Sequence, residues 1–200
     1  FGIYPAKEDA NTSFLRKGSD LLAAGYVIFG PQTSLVFSVG NGINYFVLDR
    51  TKEKFIQVNQ SFSITKTSQE YAINSSNTRH WPNTFSKYIM NCNSGETGPF
   101  NKNYNMRWIA SLVAETHRIL VRGGIFLYPE DARKGYENGR LRMVYECAPI
   151  AYLIEQAGGT AVNGHVPILD IVPNSLHART PFCFGSKDEI SRLIKVIKKR

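Results

Sequence analysis

Cysteine is scarce in this chain of 200 residues, which contains only Cys92, Cys147 and Cys183. The three residues are odd in number, lie far apart and form no CxxC pair. This spacing supports neither a disulfide framework nor a zinc site built from thiolates. We therefore expect a reducing compartment, and the cytoplasm is the simplest choice.

Long hydrophobic runs are also absent. No apolar stretch approaches the roughly 20 residues that a helix needs to span a bilayer. The first residues, FGIYP, contain neither the basic region nor the cleavage site of a signal peptide, so we expect an untargeted protein that makes no membrane contact. FGIY is instead typical of the end of a buried strand, and no cap or turn precedes it. We accordingly expect that the N-terminal part of the fold is missing.

Common catalytic motifs are missing as well. The serines have no GxSxG elbow, and the glycines form neither GxGxxG nor a phosphate-binding P-loop. The four histidines show no HxH or HxxxH spacing, which disfavours zinc binding and imidazole catalysis. No internal repeat is visible, so a solenoid is disfavoured.

Positive charge is abundant. The formal net charge is +8 and the pI is about 9.4, which suits an anionic partner such as nucleic acid, a membrane surface or a phosphorylated metabolite. The basic residues are scattered, and no aromatic and basic RNA motif or recognition helix stands out. Nucleic acid is therefore the weakest of these candidates.

The first third of the chain predicts a short helix followed by strands. Ser19 and Asp20 can cap a helix over residues 18–30, which Gly30-Pro31 would end. Residues 34–39 and 43–48 are β-rich and flank Asn41-Gly42, a strong hairpin signal. One or two further strands are expected over residues 55–73, with a domain boundary near Phe62.

The remainder of the chain alternates predicted helices and strands, which is typical of an α/β fold. The long helix over residues 106–122 places Ser111, Glu115, Arg118 and Arg122 on its polar side. The last helix opens with a capping-box pattern, Ser186 to Glu189, and closes on basic residues that suit the helix dipole. The expected elements are helices over 80–91, 106–122, 141–156 and 186–199 and a strand over 125–128, forming a layered sandwich of mixed sheet and helices.

The densest polar cluster runs from Tyr128 to Glu146. Arg140 and Arg142 stand where a loop enters a helix, and guanidinium groups there could hold a phosphate. A solvated Arg–Glu pair four residues apart is the more economical interpretation. Glu146 lies in an otherwise apolar helix and needs a partner or a metal ion. Arg107 could reach outward to an anion, although solvation at the surface is the simpler interpretation for a single arginine.

Two segments carry a specific resemblance. Both segments resemble the C-terminal sequence of class I fructose-1,6-bisphosphatases, which belong to the sugar phosphatases related to inositol monophosphatase. The segments are RWIASLVAETHRILVRGGIFLYP and GRLRMVYECAPIAYLIEQAGG. The resemblance extends from FGIY at the start to PFCFGSKDEI near the end. It implies an α/β sandwich of the sugar-phosphatase type, with residues 1–62 as a remnant of the metal-binding domain and 63–200 as the sugar-phosphate domain.

The resemblance also implies roles for particular residues. Asn74 and Tyr128 would bind the 6-phosphate, and Arg107 would reach a 6-phosphate across a subunit interface. Arg140 would contact the sugar and the 1-phosphate, and Arg142 would add positive field. Glu146 would be a metal ligand. Other positions are implied to lie near the substrate: Trp108, Ser111 and Leu112 near the sugar, and Asn77 where animal members have a tyrosine.

The activity implied by the resemblance is Mg²⁺-dependent hydrolysis of fructose 1,6-bisphosphate in gluconeogenesis, with Mn²⁺ or Zn²⁺ as other metals. A cytoplasmic homotetramer is implied, without nucleic acid or membrane partners. The catalytic carboxylates are expected upstream of residue 1, so the isolated chain is predicted to be inactive. Sedoheptulose-1,7-bisphosphatase and a non-catalytic sugar-phosphate-binding fragment remain alternative functions.

Overall fold

A computed structural model describes residues 1–59 and 63–198. Within them the fold is a mixed α/β sandwich, as predicted. The first sheet is an antiparallel meander in which each strand pairs with its neighbour in sequence. Its strands are β1 (Gly2–Ile3), β2 (Ala23–Ile28), β3 (Ser34–Ser38), β4 (Asn44–Asp49) and β5 (Lys54–Asn59). The proposed boundary at Phe62 lies outside the described residues.

The predicted helix over residues 18–30 is wrong. Only Gly18–Asp20 forms a 3₁₀ turn, and the chain then runs as β2 between β1 and β3. Gly25 lies in the middle of this strand because the ring of Phe1 and the Cβ of Phe37 leave no room for a side chain: a Cβ there would lie 2.5 Å from the Phe1 ring. Tertiary pairing therefore overrides the local helix signal.

The predicted hairpin is confirmed. Strands β3 and β4 pair antiparallel, with Phe37 opposite Asn44. Gly42 in the connecting turn has a φ of +78°, which glycine adopts without strain. The expected strands over residues 55–73 also occur, as β5 and the first strand of the second sheet.

The second sheet is mixed and has the strand order β10-β12-β8-β6-β7. Its parallel pairs join β6 to β7 and to β8, while β8, β12 and β10 pair antiparallel. A small two-stranded sheet joins β9 to β11. The bounds are β6 (Glu70–Ala72), β7 (Asn105–Met106), β8 (Ile125–Tyr128), β9 (Leu141–Arg142), β10 (Thr160–Val162), β11 (Arg179–Thr180) and β12 (Phe182–Gly185).

Helices form the other layers. They are α1 (Ala10–Phe14), α2 (Asn83–Asn93), α3 (Leu112–Arg122), α4 (Ala148–Gln156) and α5 (Lys187–Lys198). Further 3₁₀ turns cover Ser75–His80, Gly95–Thr97 and Ile168–Asp170, and a π-helical turn covers Met143–Cys147. None of the helices in the described part of the chain is long and apolar enough to cross a membrane.

Strand β8 shows how the layers are ordered. Ile125 and Leu127 point into a hydrophobic cluster with α2 and α5, whereas Phe126 points to the opposite face, into a cluster with α3, α4 and the first sheet. Between the two sheets, the Tyr26 hydroxyl of β2 lies 2.9 Å from His117 Nδ1 of α3. The described layers are therefore, in order, helices α2 and α5, the second sheet, helices α3 and α4, and the first sheet.

Three predicted helices begin later than expected. The helix predicted from residue 80 starts at Asn83, after the 3₁₀ turn. The one predicted over 106–122 starts at Leu112, because Asn105–Met106 pairs with β6 as a strand and Ala110 adopts a φ of +63°. Residues 141–156 divide into β9, the π-helical turn and α4.

Two predictions about side chains are also wrong. Glu115 is completely buried, so it does not belong to a solvated face of α3. The capping box of α5 does not form, because Ser186 Oγ accepts from the amide of Gly124 and the Glu189 carboxylate turns inward to Lys102 and Tyr104. Lys198 lies in the last turn of α5, while Lys199 and Arg200 lie outside the described residues.

Candidate functional site

Asn74 and Tyr128 line one shallow notch at the ends of two adjacent parallel strands. Asn74 follows β6 and Tyr128 ends β8, so the parallel pairing brings them to the same edge. Asn77 shares this notch. Asn74 Oδ1 accepts hydrogen bonds from the amide and the hydroxyl of Ser76 at 3.3 and 2.6 Å, which leaves its NH₂ group as the donor that it can offer a ligand.

Trp108 stands beside the notch. Its ring stacks on Phe126 with centroids 6.1 Å apart, and it lies 6.4 Å from the ring of Tyr128. These contacts join the segment before α3 to the end of β8. The structure therefore brings together three of the residues chosen from the sequence: Asn74, Trp108 and Tyr128.

The floor and rim of the notch include residues that sequence reasoning missed. Asp131 is buried and accepts hydrogen bonds from both the amide and the guanidinium of Arg133. These hydrogen bonds, foremost that from the Arg133 side chain, hold the pKa of Asp131 below its usual value. Asp131 and Arg133 are only two positions apart and match no standard motif, so the high local density of polar residues was the signal that could have pointed to them.

Arg140 lies beside the ring of Tyr136 in the loop that joins β8 to β9. The guanidinium groups of Arg140 and Arg133 lie 4.5 and 4.8 Å from the ring centre of Tyr136, a distance at which cation–π attraction operates. Gly139, just before Arg140, is pressed against β11, since a Cβ there would lie 2.4 Å from the backbone of Thr180. Arg140 is thus exposed to solvent while its guanidinium contacts the ring of Tyr136.

Arg142 and Glu146 form the ion pair that was the more economical interpretation of the sequence. The Arg142 amide donates to Glu146 Oε2 at 2.7 Å, and Arg142 Nη1 lies 3.3 Å from Oε1. Glu146 stands in the π-helical turn, a rare feature that is frequent at functional sites. Its partly exposed carboxylate could give an oxygen to a hard cation.

Further metal ligands are not found near Glu146. Across residues 1–59 and 63–198, no group of three or more His, Cys, Asp or Glu side chains is arranged to hold a metal ion. Mg²⁺ requires near-octahedral oxygen coordination and usually takes one or two carboxylates besides water and substrate phosphate. The described residues alone therefore do not fit a complete Mg²⁺ site.

Arg107 belongs to a network of charged side chains. Its Nε lies 3.7 Å from Glu70 Oε1, while Arg118 and Arg122 donate to Glu70 at 2.6 and 2.7 Å. Burial would raise the pKa of Glu70, but these arginines hold it below its usual value. About half of the Arg107 side chain remains exposed, so its guanidinium is accessible to an anion.

Ser111 and Leu112 open α3 rather than continue it. Ser111 is the N-cap residue, and its hydroxyl accepts from the Ala114 amide at 3.5 Å. Leu112 is half-buried against the core that includes Phe126. Ser111 is exposed at the helix N-terminus, whereas Leu112 offers only part of its side chain to a ligand.

A separate cleft of about 550 Å³ is lined in part by residues 135–139 of the loop that carries Arg140. Asn138, Asn163, Asn174 and Arg179 contribute polar groups to it, and Met143 and Ile171 contribute apolar ones. Its residues come from four separate stretches of sequence, so no local pattern could have identified it. Amide groups in such a cleft can hydrogen-bond to hydroxyl groups of a ligand.

Comparison with known proteins covers nearly the whole chain. Residues 64–198 match the family model described as "Fructose-1-6-bisphosphatase, C-terminal domain", and residues 1–60 match "Fructose-1-6-bisphosphatase, N-terminal domain". The chain is 56% identical over 193 residues to "Fructose-1,6-bisphosphatase class 1 1" of Cereibacter sphaeroides, covering 96% of this chain and 58% of that relative.

Two further relatives show the same pattern. "Fructose-1,6-bisphosphatase class 1" of Rhodobacter capsulatus is 55% identical, with 96% of this chain and 58% of the relative covered. "Fructose-1,6-bisphosphatase class 1 1" of a Bradyrhizobium species is 51% identical, with 96% and 56% covered. The chain thus spans somewhat more than half the length of the curated relatives that it matches.

Proposed function

The chain belongs to the class 1 fructose-1,6-bisphosphatase family, and we propose that it supplies the sugar-phosphate half of an enzyme that hydrolyses fructose 1,6-bisphosphate. The products are fructose 6-phosphate and inorganic phosphate. The observation that carries the proposal is the shared notch of Asn74 and Tyr128, flanked by the ring of Trp108. An amide, a phenol and an aromatic face are suited to a phosphate and its sugar.

In this proposal Asn74 and Tyr128 donate hydrogen bonds to the 6-phosphate. Each bond to a charged group contributes about 1.5 to 3 kcal/mol. Trp108, Ser111 and Leu112 border the sugar. Arg107 reaches across a subunit interface and meets the 6-phosphate bound by a neighbouring subunit of the oligomer. The exposure of Arg107 supports this assignment.

The opposite end of the sugar is assigned to Arg140 and Arg142. Arg140 is exposed on its loop and contacts the sugar and the 1-phosphate, while Arg142 adds positive field beside Glu146. Cations at this position offset the charge that develops on a transferring phosphoryl group. The net charge of +8 supports a phosphorylated substrate in the same way.

Glu146 is proposed as one ligand of a catalytic Mg²⁺, with Mn²⁺ or Zn²⁺ as other candidates. A divalent ion would activate water and polarise the phosphoryl oxygens. Since the described residues do not complete such a site, we assign this chain the tasks of binding and orienting the sugar phosphate. We also propose that the 200-residue chain by itself releases no phosphate.

The other assignments that follow from the family are likewise proposals. They comprise a division into domains at residues 1–62 and 63–200, a homotetramer, a cytoplasmic location and a role in gluconeogenesis. The exposed guanidinium groups of Arg107 and Arg122, both paired with Glu70, are compatible with a subunit contact.

Calorimetric titration with fructose 6-phosphate tests the binding proposal. Tyr128→Phe should weaken binding about tenfold, since one hydrogen bond to a charged group is lost. Tyr145→Phe is the matched control, because Tyr145 is exposed and its hydroxyl pairs with His177 instead. An absence of binding to the unmodified chain, or equal affinities of the two variants, would overturn the proposal.

Phosphate release distinguishes the alternatives. The protein expressed from its complete reading frame should release phosphate from fructose 1,6-bisphosphate in the presence of Mg²⁺. Faster release from sedoheptulose 1,7-bisphosphate would assign the other substrate. Binding of fructose 6-phosphate without any release would instead indicate a sugar-phosphate-binding module, an alternative favoured by the lack of a three-ligand metal cluster in the described residues.

A further inference from the structure

The five residues from Arg107 to Ser111 form a short connection between β7 and α3 that includes a strained position. Ala110 has a φ of +63°, a value that residues other than glycine seldom adopt. Such a conformation persists only where the surroundings hold it. Because Arg107, Trp108 and Ser111 lie in this connection, whatever holds it also sets the position of three candidate substrate residues.

Glu115 holds the connection through its backbone. Its Oε1 accepts a hydrogen bond from the Ile109 amide at 2.6 Å, immediately before the strained residue. Its Oε2 accepts from Arg118 Nε and Nη2 at 3.1 and 2.9 Å. The Glu115 side chain is completely buried, and both of its oxygens are therefore engaged in a site without solvent competition.

Arg118 extends the same network to the other end of the connection. Its Nη1 donates to Glu70 Oε2 at 2.6 Å, and Glu70 Oε1 lies 3.7 Å from Arg107 Nε. The backbone of Ile109 and the side chain of Arg107 are thus fixed by two carboxylates that one guanidinium joins. The planar, forked donors of arginine suit this bridging role, and a lysine could not reproduce it.

We propose that Glu115 is a positioning residue, which places Trp108 and Arg107 for sugar-phosphate binding without touching the ligand. The proposal rests on the proposed function for the identity of the ligand. Its structural half, the control of Trp108 by Glu115, stands independently of that ligand. Glutamine at position 115 keeps the shape but loses the charge opposite Arg118, so the hydrogen bond to Ile109 should weaken.

The test compares two buried carboxylates. Glu115→Gln should weaken binding of fructose 6-phosphate about tenfold. Glu189→Gln is the matched control, because Glu189 is also fully buried, pairs with Lys102 and accepts a backbone hydrogen bond from Ser68 at 3.2 Å. It should lower the thermal midpoint while leaving affinity unchanged, so a loss of affinity of equal size in both variants would refute a positioning role.

Trp108 gives a readout that does not depend on the ligand. The chain has two tryptophans, and in a Trp81→Phe background the fluorescence reports Trp108 alone. Adding Glu115→Gln should increase acrylamide quenching of Trp108 about twofold or more as its stacking on Phe126 loosens. Unchanged quenching would overturn the proposal whatever the binding data. Increased quenching in a protein that never binds fructose 6-phosphate would retain it and reject the proposed function.

Arg118→Lys provides a second variant should Glu115→Gln fail to fold. It keeps the positive charge next to Glu115 and Glu70 but loses the forked geometry. We expect increased quenching of Trp108 and a smaller loss of affinity than in Glu115→Gln. Wild-type quenching and affinity in Arg118→Lys would refute the bridging part of the network.

Discussion

The two five-stranded sheets differ in how their strands are connected and covered. In the first sheet, sequence neighbours pair as an antiparallel meander, and α3 and α4 pack on one face. The second sheet is mixed and has helices on both faces. The candidate site residues all come from the second sheet and the segments around it, none from residues 1–59.

This difference has a topological cause. Parallel strands are joined by a long crossover, so they end at the same edge of the sheet while lying far apart in sequence. In this way β6 and β8 end side by side, although more than 50 residues separate Asn74 from Tyr128. Ligand groups from distant segments are thereby collected at one edge. A meander brings together only residues that already lie close in sequence, and the first sheet accordingly serves as a platform behind α3 and α4.

Coverage differs as well. On the face of the first sheet that points away from α3 and α4, the rings of Phe37 and Phe46 stack with centroids 5.5 Å apart and remain only partly buried. On the second sheet, Phe184 stacks on Phe126 at 4.9 Å and is fully buried. The same kind of aromatic pair therefore stands in two different environments, which makes the comparison measurable.

Removing one ring from each pair should give the largest contrast. Phe184→Ala leaves a cavity in the core and should lower the free energy of unfolding by about 3 to 5 kcal/mol. Phe46→Ala removes a ring that already contacts water and should cost about 1 kcal/mol. Urea denaturation measures both losses. Equal losses would show that the two rings are shielded from water to the same extent, and the proposed contrast between the sheets would be wrong.

The buried carboxylate of Glu189 gives an intermediate, pH-dependent effect on the second sheet. Burial would raise the pKa of Glu189, but hydrogen bonds from Lys102 and Tyr104 hold it below 4.5. Stability from this carboxylate is thus present above the unfolded pKa and is lost as the pH falls toward the folded pKa. At pH 7 Glu189→Gln should cost about 2 kcal/mol.

The difference between Glu189→Gln and the unmodified protein should shrink as the pH falls below 4.5. Thermal unfolding at a series of pH values follows this trend. Glu8→Gln is a suitable control, since it removes a carboxylate from an exposed position. A difference that stays constant down to pH 3 would show that Glu189 is not stabilised as an anion.

The smallest effect comes from two matched glycines. Gly42 in the β3–β4 turn and Gly158 after α4 have φ values of +78° and +81°, and an added Cβ at either would have nothing within 4 Å. Gly42→Ala and Gly158→Ala should each cost about 1 kcal/mol in backbone strain. Calorimetry should show one transition that shifts equally in both variants. An early transition lowered by Gly42→Ala alone would show that the first sheet unfolds separately.

Local signals predicted much of this fold. The hairpin at Asn41-Gly42 and the short apolar strand β8 depend on nearby residues, and both occur where the sequence indicated. The segment 18–30 was misassigned because its helix-like spacing gives way to pairing with β1 and β3. That pairing depends on Phe1 and Phe37, which a local reading does not bring together.

The site was predictable by residue type more than by arrangement. Trp108 and Tyr128 could be chosen from the amino-acid sequence, but the contact between their rings depends on the order of the strands in the sheet. Glu115 and Glu189 looked like ordinary solvated or capping carboxylates. Arg118 reaches Glu115 within the same helix, three residues further on, but only the fold buries that pair and brings Lys102 to the buried Glu189.

The three buried cysteines have a practical consequence for thiol chemistry. Burial raises the pKa of Cys92 and of Cys183 to about 12 and also raises that of Cys147. Because the thiolate is the reactive form, alkylating reagents should find no ready target in the folded protein. Each thiol lies in a different element, α2, the π-helical turn and β12, so the order of their alkylation would record the order in which these elements open.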